Sequence, residues 1–267
     1  MHLLALTRWN AARTLEQELP VLAPALGLGL YDARLRLVAP LPQVIASGLL
    51  EERARELCAL LHGRGHGAVY ADAAQVADAR AAFVARAFEL GGDGLTVRDE
   101  MRKSIELLYA RITSVLRAFE TSSEAQTIST SEKKLDIGTA VLTGGLKFSK
   151  TVTKVEKNAT AERQQVAFIF HDAAAEPVLL REYALGYEGL GELRGLTAHE
   201  SFEALLAQLR NRAPQALHDD RLFTHKRRVE TVAMHGVAKE RTVSTTNAGA
   251  NYLAARLLML AHAQGQL

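Results

Sequence analysis

The sequence predicts an α+β protein in which a small N-terminal α/β sandwich module precedes a mainly antiparallel β region, an amphipathic helix and a C-terminal extension. Three observations carry that expectation. Within Gly138 to Phe170, apolar Leu146, Phe148, Val152, Val166, Phe168 and Phe170 fall on even positions, while Lys147, Ser149, Thr151 and Thr153 fall on odd ones. This is the two-residue period of a half-buried strand. Leu50 to Leu61 sets Leu50, Ala54, Leu57, Cys58 and Leu61 on one helical face and is stopped by Gly63 and Gly65. Thr197 followed by Glu200 is a capping box, and Phe202, Leu205, Leu206 and Leu209 give the helix it opens one apolar face.

In order, His2 to Leu6 reads as an apolar strand and Asn10 as a helix N-cap. Leu15, Leu19, Leu22 and Leu26 recur at helical spacing, with Pro20 and Pro24 limiting the regular part. Tyr31 to Val38 predicts a short helix closed by Pro40 and Pro42, Gln43 to Ala46 the start of a strand, and His66 to Ala71 another. Ala73 to Ala82 is an alanine-rich connection. Phe83 to Leu90 predicts a strand, and Gly91 to Gly94 a turn into Leu95 to Asp99. Ser104 to Phe119 fits helix or strand; its β-branched residues and the preceding hairpin favour strands. The polar, serine-rich Thr121 to Lys134 predicts a long loop. Gly144-Gly145 marks a turn or bulge, and Pro177 to Leu190 a strand. Pro214 ends the Thr197 helix, Val229 to Val243 predicts two strands, and Asn251 to Ala263 a helix apolar almost all round.

Length and composition bound the function. At 267 residues the chain favours two compact units, and a net charge of +2 argues against a dedicated nucleic-acid binder. One cysteine, Cys58, allows no intramolecular disulfide and fits a reducing cytoplasm. No apolar run reaches the ~20 residues of a membrane span. Met1 to Thr7 is too short for a signal-peptide core, so a soluble, complete cytoplasmic chain is expected. Residues 1–102 hold eleven arginines and no lysine, whereas six of nine lysines lie between Lys133 and Lys157. Lys133, Lys134, Lys147, Lys150, Lys154, Lys157 and Arg163 face only Asp136, Glu156 and Glu162 in that interval, a local excess of four positive charges. Two readings stay open: a solvated hairpin that resists edge-to-edge pairing, or a basic projection that meets a lipid headgroup, a nucleic acid or an acidic protein.

Two resemblances add to this. The pieces GLGLYDARLRLVAPLPQVIASG and LLEERARELCALLHGRGHGAVYA, in the order strand, helix, helix, strand, helix, strand, resemble the C-terminal domain of the bacterial ribosomal stalk protein and the Clp-protease adaptor core. That resemblance covers about 70 residues and implies a module that binds partners and catalyses nothing. The stalk domain's factor-binding face uses lysines, which this half lacks, so that function is not carried over. From about Phe83 to Pro214, many antiparallel strands followed by one amphipathic helix look like a pleckstrin-homology-type barrel, which the helix would close. The expected division is therefore 1–76, 83–214 and 215–267.

His171-Asp172, His199-Glu200 and His218-Asp219-Asp220 set histidine beside carboxylate, but HExxH, CxxC, GxSxG and phosphate-loop patterns are absent. His62 to Gly67 reads as a helix stop, and Thr224 to Arg228 as a solvated basic connector. No metal, cofactor or catalytic residue is assigned. The expected function is a non-catalytic adaptor for a protein partner, self-associating through Tyr252, Leu253, Leu257, Leu258 and Leu260 unless that helix is buried in its own chain. The alternatives are an anionic-surface binder using the lysine cluster, or an enzyme that brings His171, Glu182 and His199 together in the β domain.

Overall fold

A computed structural model describes residues 1–76, 78, 81–135, 149–224, 230–237 and 240–267, without the side chains of 125–159 and 225–243. Among the described residues the fold is α+β with three sheets. Two compact units are present, one comprising Met1–Glu120, Gln164–Arg228 and Ala248–Leu267, the other Thr121–Arg163 and Val229–Asn247.

The first unit begins with β1 (His2–Arg8), α1 (Leu15–Ala25), α2 (Leu30–Leu37), β2 (Gln43–Leu49), α3 (Glu51–Gly63) and β3 (Gly67–Asp72), the order read from the sequence. β1 is the middle strand of an antiparallel sheet ordered β2-β1-β3. Both faces of β1 are covered, which is why it lacks alternation. Leu4 and Leu6 pack with Leu22, Leu37, Leu57 and Leu61 of the helices, while Leu3 and Ala5 lie in a second cluster with Val69, Leu257 and Ala261.

Two local expectations are corrected. The cap of α1 is Thr14, not Asn10: Thr14 accepts from Gln17 N, and Gln17 returns a bond to Thr14 N. Asn10 instead ties the loop to the turn before β3, its N–H donating to His66 Nδ1 at 3.0 Å and its Nδ2 to Arg64 O at 2.9 Å. α1 also runs through both Pro20 and Pro24. Pro20, Pro24 and Glu16 are exposed, so the carbonyls that lose amide partners lie on the side open to water.

After α4 (Ala73–Val76) come β4 (Phe83–Val84), β5 (Ala87–Leu90), β6 (Gly94–Arg98), β7 (Ser104–Leu108), β8 (Ile112–Leu135), β9 (Ser149–His171) and β10 (Val178–Arg181). The predicted strand over Phe83 to Leu90 is two strands, because the chain changes sheets there. Ala85 N donates to Leu179 O, and the next residue, Arg86, donates to Arg98 O. The predicted strand over Pro177 to Leu190 stops at Arg181. Beyond it the chain turns into a 3-10 helix at Glu188–Leu193, which lies so close to β5 that a Cβ on Gly189 would clash with Phe88 O. Ser104 to Phe119 is β7 and β8, linked by a 3-10 turn at Tyr109–Arg111.

α5 (Ala198–Arg212) carries the predicted capping box, with Thr197 accepting from Glu200 N at 3.1 Å and Glu200 Oε2 accepting from Thr197 N at 3.1 Å. Its Phe202, Leu205 and Leu209 enter one core with Phe88, Leu95, Val97 and Leu107 of the β5-β6-β7 sheet and Ile112, Ala167, Ile169 and Leu180 of the larger sheet. Thr197→Ala is expected to lower stability by about 1 kcal/mol, read as a lower midpoint in thermal unfolding; an unchanged midpoint would mean the box is redundant. The expected barrel is corrected: among the described residues no sheet closes on itself. The β5-β6-β7 sheet bonds only within itself, because the 3-10 turn at Tyr109–Arg111 separates β7 from β8 and Ala85-Arg86 separates β4 from β5.

β11 (Leu217–Asp219) pairs in parallel with Ser114 to Leu116 of β8 and is followed by α6 (Arg221–Thr224). The last elements are β12 (Glu230–Val237), β13 (Glu240–Thr246) and α7 (Ala248–Ala263). α7 is the helix expected at Asn251 to Ala263. Neighbouring residues of it enter different cores: Leu257 joins Leu3 and Val69, and Leu258 joins Leu116, Phe168 and Tyr252. Asn251 Nδ2 donates to Phe119 O at 2.7 Å, Tyr252 OH donates to Glu176, and Arg256 Nη2 donates to Gln75 O at 3.1 Å.

In the second unit the predicted loop Thr121 to Lys134 is strand. β8 pairs residue for residue with β13 from Ser122↔Thr246 to Ile128↔Glu240, and β13 pairs with β12. Thr121 and Asn247 close the ladder, Thr121 N donating to Asn247 Oδ1 at 2.8 Å. The Gly144-Gly145 turn, Leu146 and Phe148 lie outside the described residues.

Candidate functional site

Several exposed apolar side chains of the first unit lie together on α2 and its C-cap, and the local sequence explains it. Gly27, at φ 68°, turns the chain after α1, with its N–H bonded to Pro24 O and that of Leu28 to Ala23 O. α2 starts three residues on, at Leu30, capped by Gly29 without a side-chain bond. Only Ala33 and Leu37, one turn apart, are buried. The opposite face carries Tyr31, Leu35 and Val38 at i, i+4 and i+7, which are 73%, 58% and 64% exposed. Leu15, Glu16, Arg34 and Ala39 complete a groove of about 440 Å³ with Leu35 and Val38. Arg34 is held by Glu16 at 2.9 Å. On the far flank of α2, Arg36 Nη1 donates to Ile45 O at 2.9 Å, and Asp32 is exposed.

Beneath α1 lies a buried ionic cluster. Glu18, fully enclosed, accepts from Arg64 through both carboxylate oxygens, with Arg13 Nη1 at 3.6 Å and His66 Nε2 at 3.4 Å. His66 is equally enclosed, its ring against Trp9 at 4.4 Å. The Arg64 bond outweighs burial and holds the Glu18 carboxyl below its ordinary range, while burial holds His66 below its own. The cluster joins α1 to the turn between α3 and β3.

The enzyme alternative named His171, Glu182 and His199, and two of these meet. Glu182 is buried and accepts from Gln165 N at 2.8 Å, and its Oε1 is 3.5 Å from His199 Nδ1. Gln165 Nε2 donates to that same Nδ1 at 2.7 Å, and Gln165 Oε1 accepts from Arg117 Nε at 2.8 Å. Arg117 also bonds Glu203 and stacks on Phe223, 4.0 Å from the ring centre. The cleft beside it, about 120 Å³, is lined by Arg117, Glu203, Arg210 and His218. Arg210 faces Asp220 at 3.9 Å, and His218 Nε2 donates to Ala213 O at 3.0 Å. These groups satisfy one another and clamp α5 onto β8 and β9. His171 is six residues along β9 from Gln165, about 20 Å at strand rise, and accepts from Ala173 N through Nδ1 at 3.1 Å.

The backbones of Lys133 and Lys134 lie in β8, and those of Lys150, Lys154 and Lys157 in β9. Their side chains, Lys147 and the His225 to Arg228 part of the second basic run lie outside the described residues. Arg163 is exposed in β9. Tyr252, Leu257 and Leu258 are buried within the chain's own cores, and Leu253 and Leu260 are half-buried against Leu3 and Val69. Asp172 pairs with Arg111 at 2.8 Å and Asp219 with Arg221 at 2.6 Å, while Glu200 serves the α5 cap. Cys58 is buried, which pushes its thiol pKa up. Gly65, at φ 81°, makes the turn after α3. Among the described residues no three His, Cys, Asp or Glu side chains gather as a metal site, and no helix is long and apolar enough to cross a membrane.

The exposed face of α2 escaped the sequence reading because YDARLRLV is apolar on more than one side, and nothing local says which side docks. Arg117, Gln165 and Glu203 escaped it because they meet from distant parts of the chain. Searches against protein-family models, curated proteins and solved structures return no match.

Proposed function

We propose that the chain is a non-catalytic interaction protein that docks a protein partner on the exposed face of α2. The observation that carries this reading is the contiguous stripe of Tyr31, Leu35 and Val38, each more than half exposed, bordering an open groove. Single exposed apolar residues are ordinary, but a stripe at helical spacing is what folding alone would bury. The βααβαβ order with its antiparallel sheet supports a stalk-domain-like module. Two sheets and α5 around one core support a pleckstrin-homology-like region, although fold likeness alone specifies no ligand.

The test is a photo-reactive residue placed at Leu35 in the full chain, with exposed Glu52 of α3 as control position. Irradiation in the native cell is expected to yield a protein adduct of defined mass from position 35 and none from position 52. Equal adduct patterns, or none at either position, would remove the α2 face as the docking surface.

A further inference from the structure

Resting on that reading, we propose that the partner of α2 is a second copy of this chain, bound through an antiparallel α2–α2 contact about a two-fold axis. Charge complementarity around the apolar stripe favours that partner. In an antiparallel helix pair related by a two-fold axis, each flank of the stripe meets the same flank of the other helix with its order reversed. One flank of α2 carries Asp32 and, one turn later, Arg36. Reversal sets Asp32 of each copy beside Arg36 of the other, so the contact gains two equivalent ion pairs. Along the stripe, Leu35 meets Leu35 near the axis, and Tyr31 lies opposite the second copy's Val38. The other flank brings Arg34 toward Arg34, where each guanidinium is accompanied by its own Glu16 carboxylate at 2.9 Å. A parallel pairing would instead turn Arg36 toward Arg34. Arg36 commits one nitrogen to Ile45 O, which fixes the side chain and leaves its other donors for the carboxylate. Self-complementarity of this kind is what closed two-fold assemblies require. The α7 stripe expected to serve self-association is taken up inside the chain, so α2 replaces it.

Sedimentation velocity on the full chain, from low micromolar to ~300 μM, suits a small interface of this kind. The wild type is expected to shift from monomer to dimer mass, and Leu35→Asp to weaken dimerisation at least ~10-fold at unchanged melting temperature. Asp32→Arg alone and Arg36→Asp alone are each expected to be monomeric at concentrations where the wild type pairs. Mixed in equal amounts, they are expected to form a heterodimer, since each supplies the charge the other lacks. If Arg36→Asp folds poorly for want of its Ile45 bond, the Asp32→Arg and Leu35→Asp arms still decide. A wild type that stays monomeric throughout, or dimers untouched by Leu35→Asp and Asp32→Arg, would overturn the proposal. A monomeric wild type whose position-35 adduct contains a different protein would overturn the second copy while leaving α2 as the docking face.

Discussion

Leu258→Ala is expected to lower the unfolding free energy by about 3–4 kcal/mol, measured by urea denaturation with the slope unchanged. Leu258 is fully buried between Leu116, Phe168 and Tyr252, and removing a buried leucine side chain typically costs about 2–5 kcal/mol, more where the surroundings cannot collapse. Collapse is restrained here. α7 is fixed at its N-terminal end by Asn251 on Phe119 O and midway by Arg256 on Gln75 O, and its next residue, Leu257, is committed to the β1 side. The helix cannot slide into the void without opening the other core. A loss under about 1 kcal/mol would show that α7 is loosely held and that its burial contributes little.

Glu18→Gln is expected to cost about 2 kcal/mol at pH 7. The substitution keeps the shape but leaves Arg64, Arg13 and the enclosed His66 ring without a carboxylate. Breaking a deeply buried pair costs about 3–5 kcal/mol; Arg64 and Arg13 reach this one from the solvent side, where water screens them, so the figure is lower. The pH dependence has a definite sign. His66 titrates below its ordinary 6.5 in the fold, so below pH 6.5 the unfolded chain takes up a proton that the folded one resists, and stability falls. Glu18 titrates below its ordinary 4.5; its contribution is complete above that value and is lost as pH falls through the folded value. Wild-type stability should thus hold from pH 8 to 7 and decline in two stages on acidification. In Glu18→Gln the second stage should shrink. A wild-type profile that rises between pH 7 and 5 would contradict the enclosed, neutral His66.

The parts of the fold legible in the sequence are those where one face of an element is buried. α3 and α5 announce themselves by a single apolar stripe, and α5 also by Thr197 and Glu200. The illegible parts have either no dry face or two. Thr121 to Lys134 is serine-rich without a period and reads as loop, yet it is strand because β13 supplies its backbone partners from Ser122 to Ile128. α7 has apolar residues all round, which sequence can assign to this chain or to another copy; the cover proves to be internal on two sides. At the candidate site, Ala33 and Leu37 decide the orientation of α2, because the small alanine lets the backbone settle onto its neighbours. That choice depends on the shape of what lies beneath, which no window of α2 contains.

The covering of β1 by α7 sets an order of events during synthesis. The face made by Leu3, Ala5 and Val69 receives Leu257 and Ala261, and these leave the ribosome long after β3 does. At roughly 5–20 residues per second, the stretch between Asp72 and Ala248 takes on the order of 10–35 s to make. For that interval the helix-covered side of the β2-β1-β3 sheet can already pack, while its other side stays bare to water. A ribosome stalled before α7 would therefore hold out a sheet with one apolar face bare rather than a finished module.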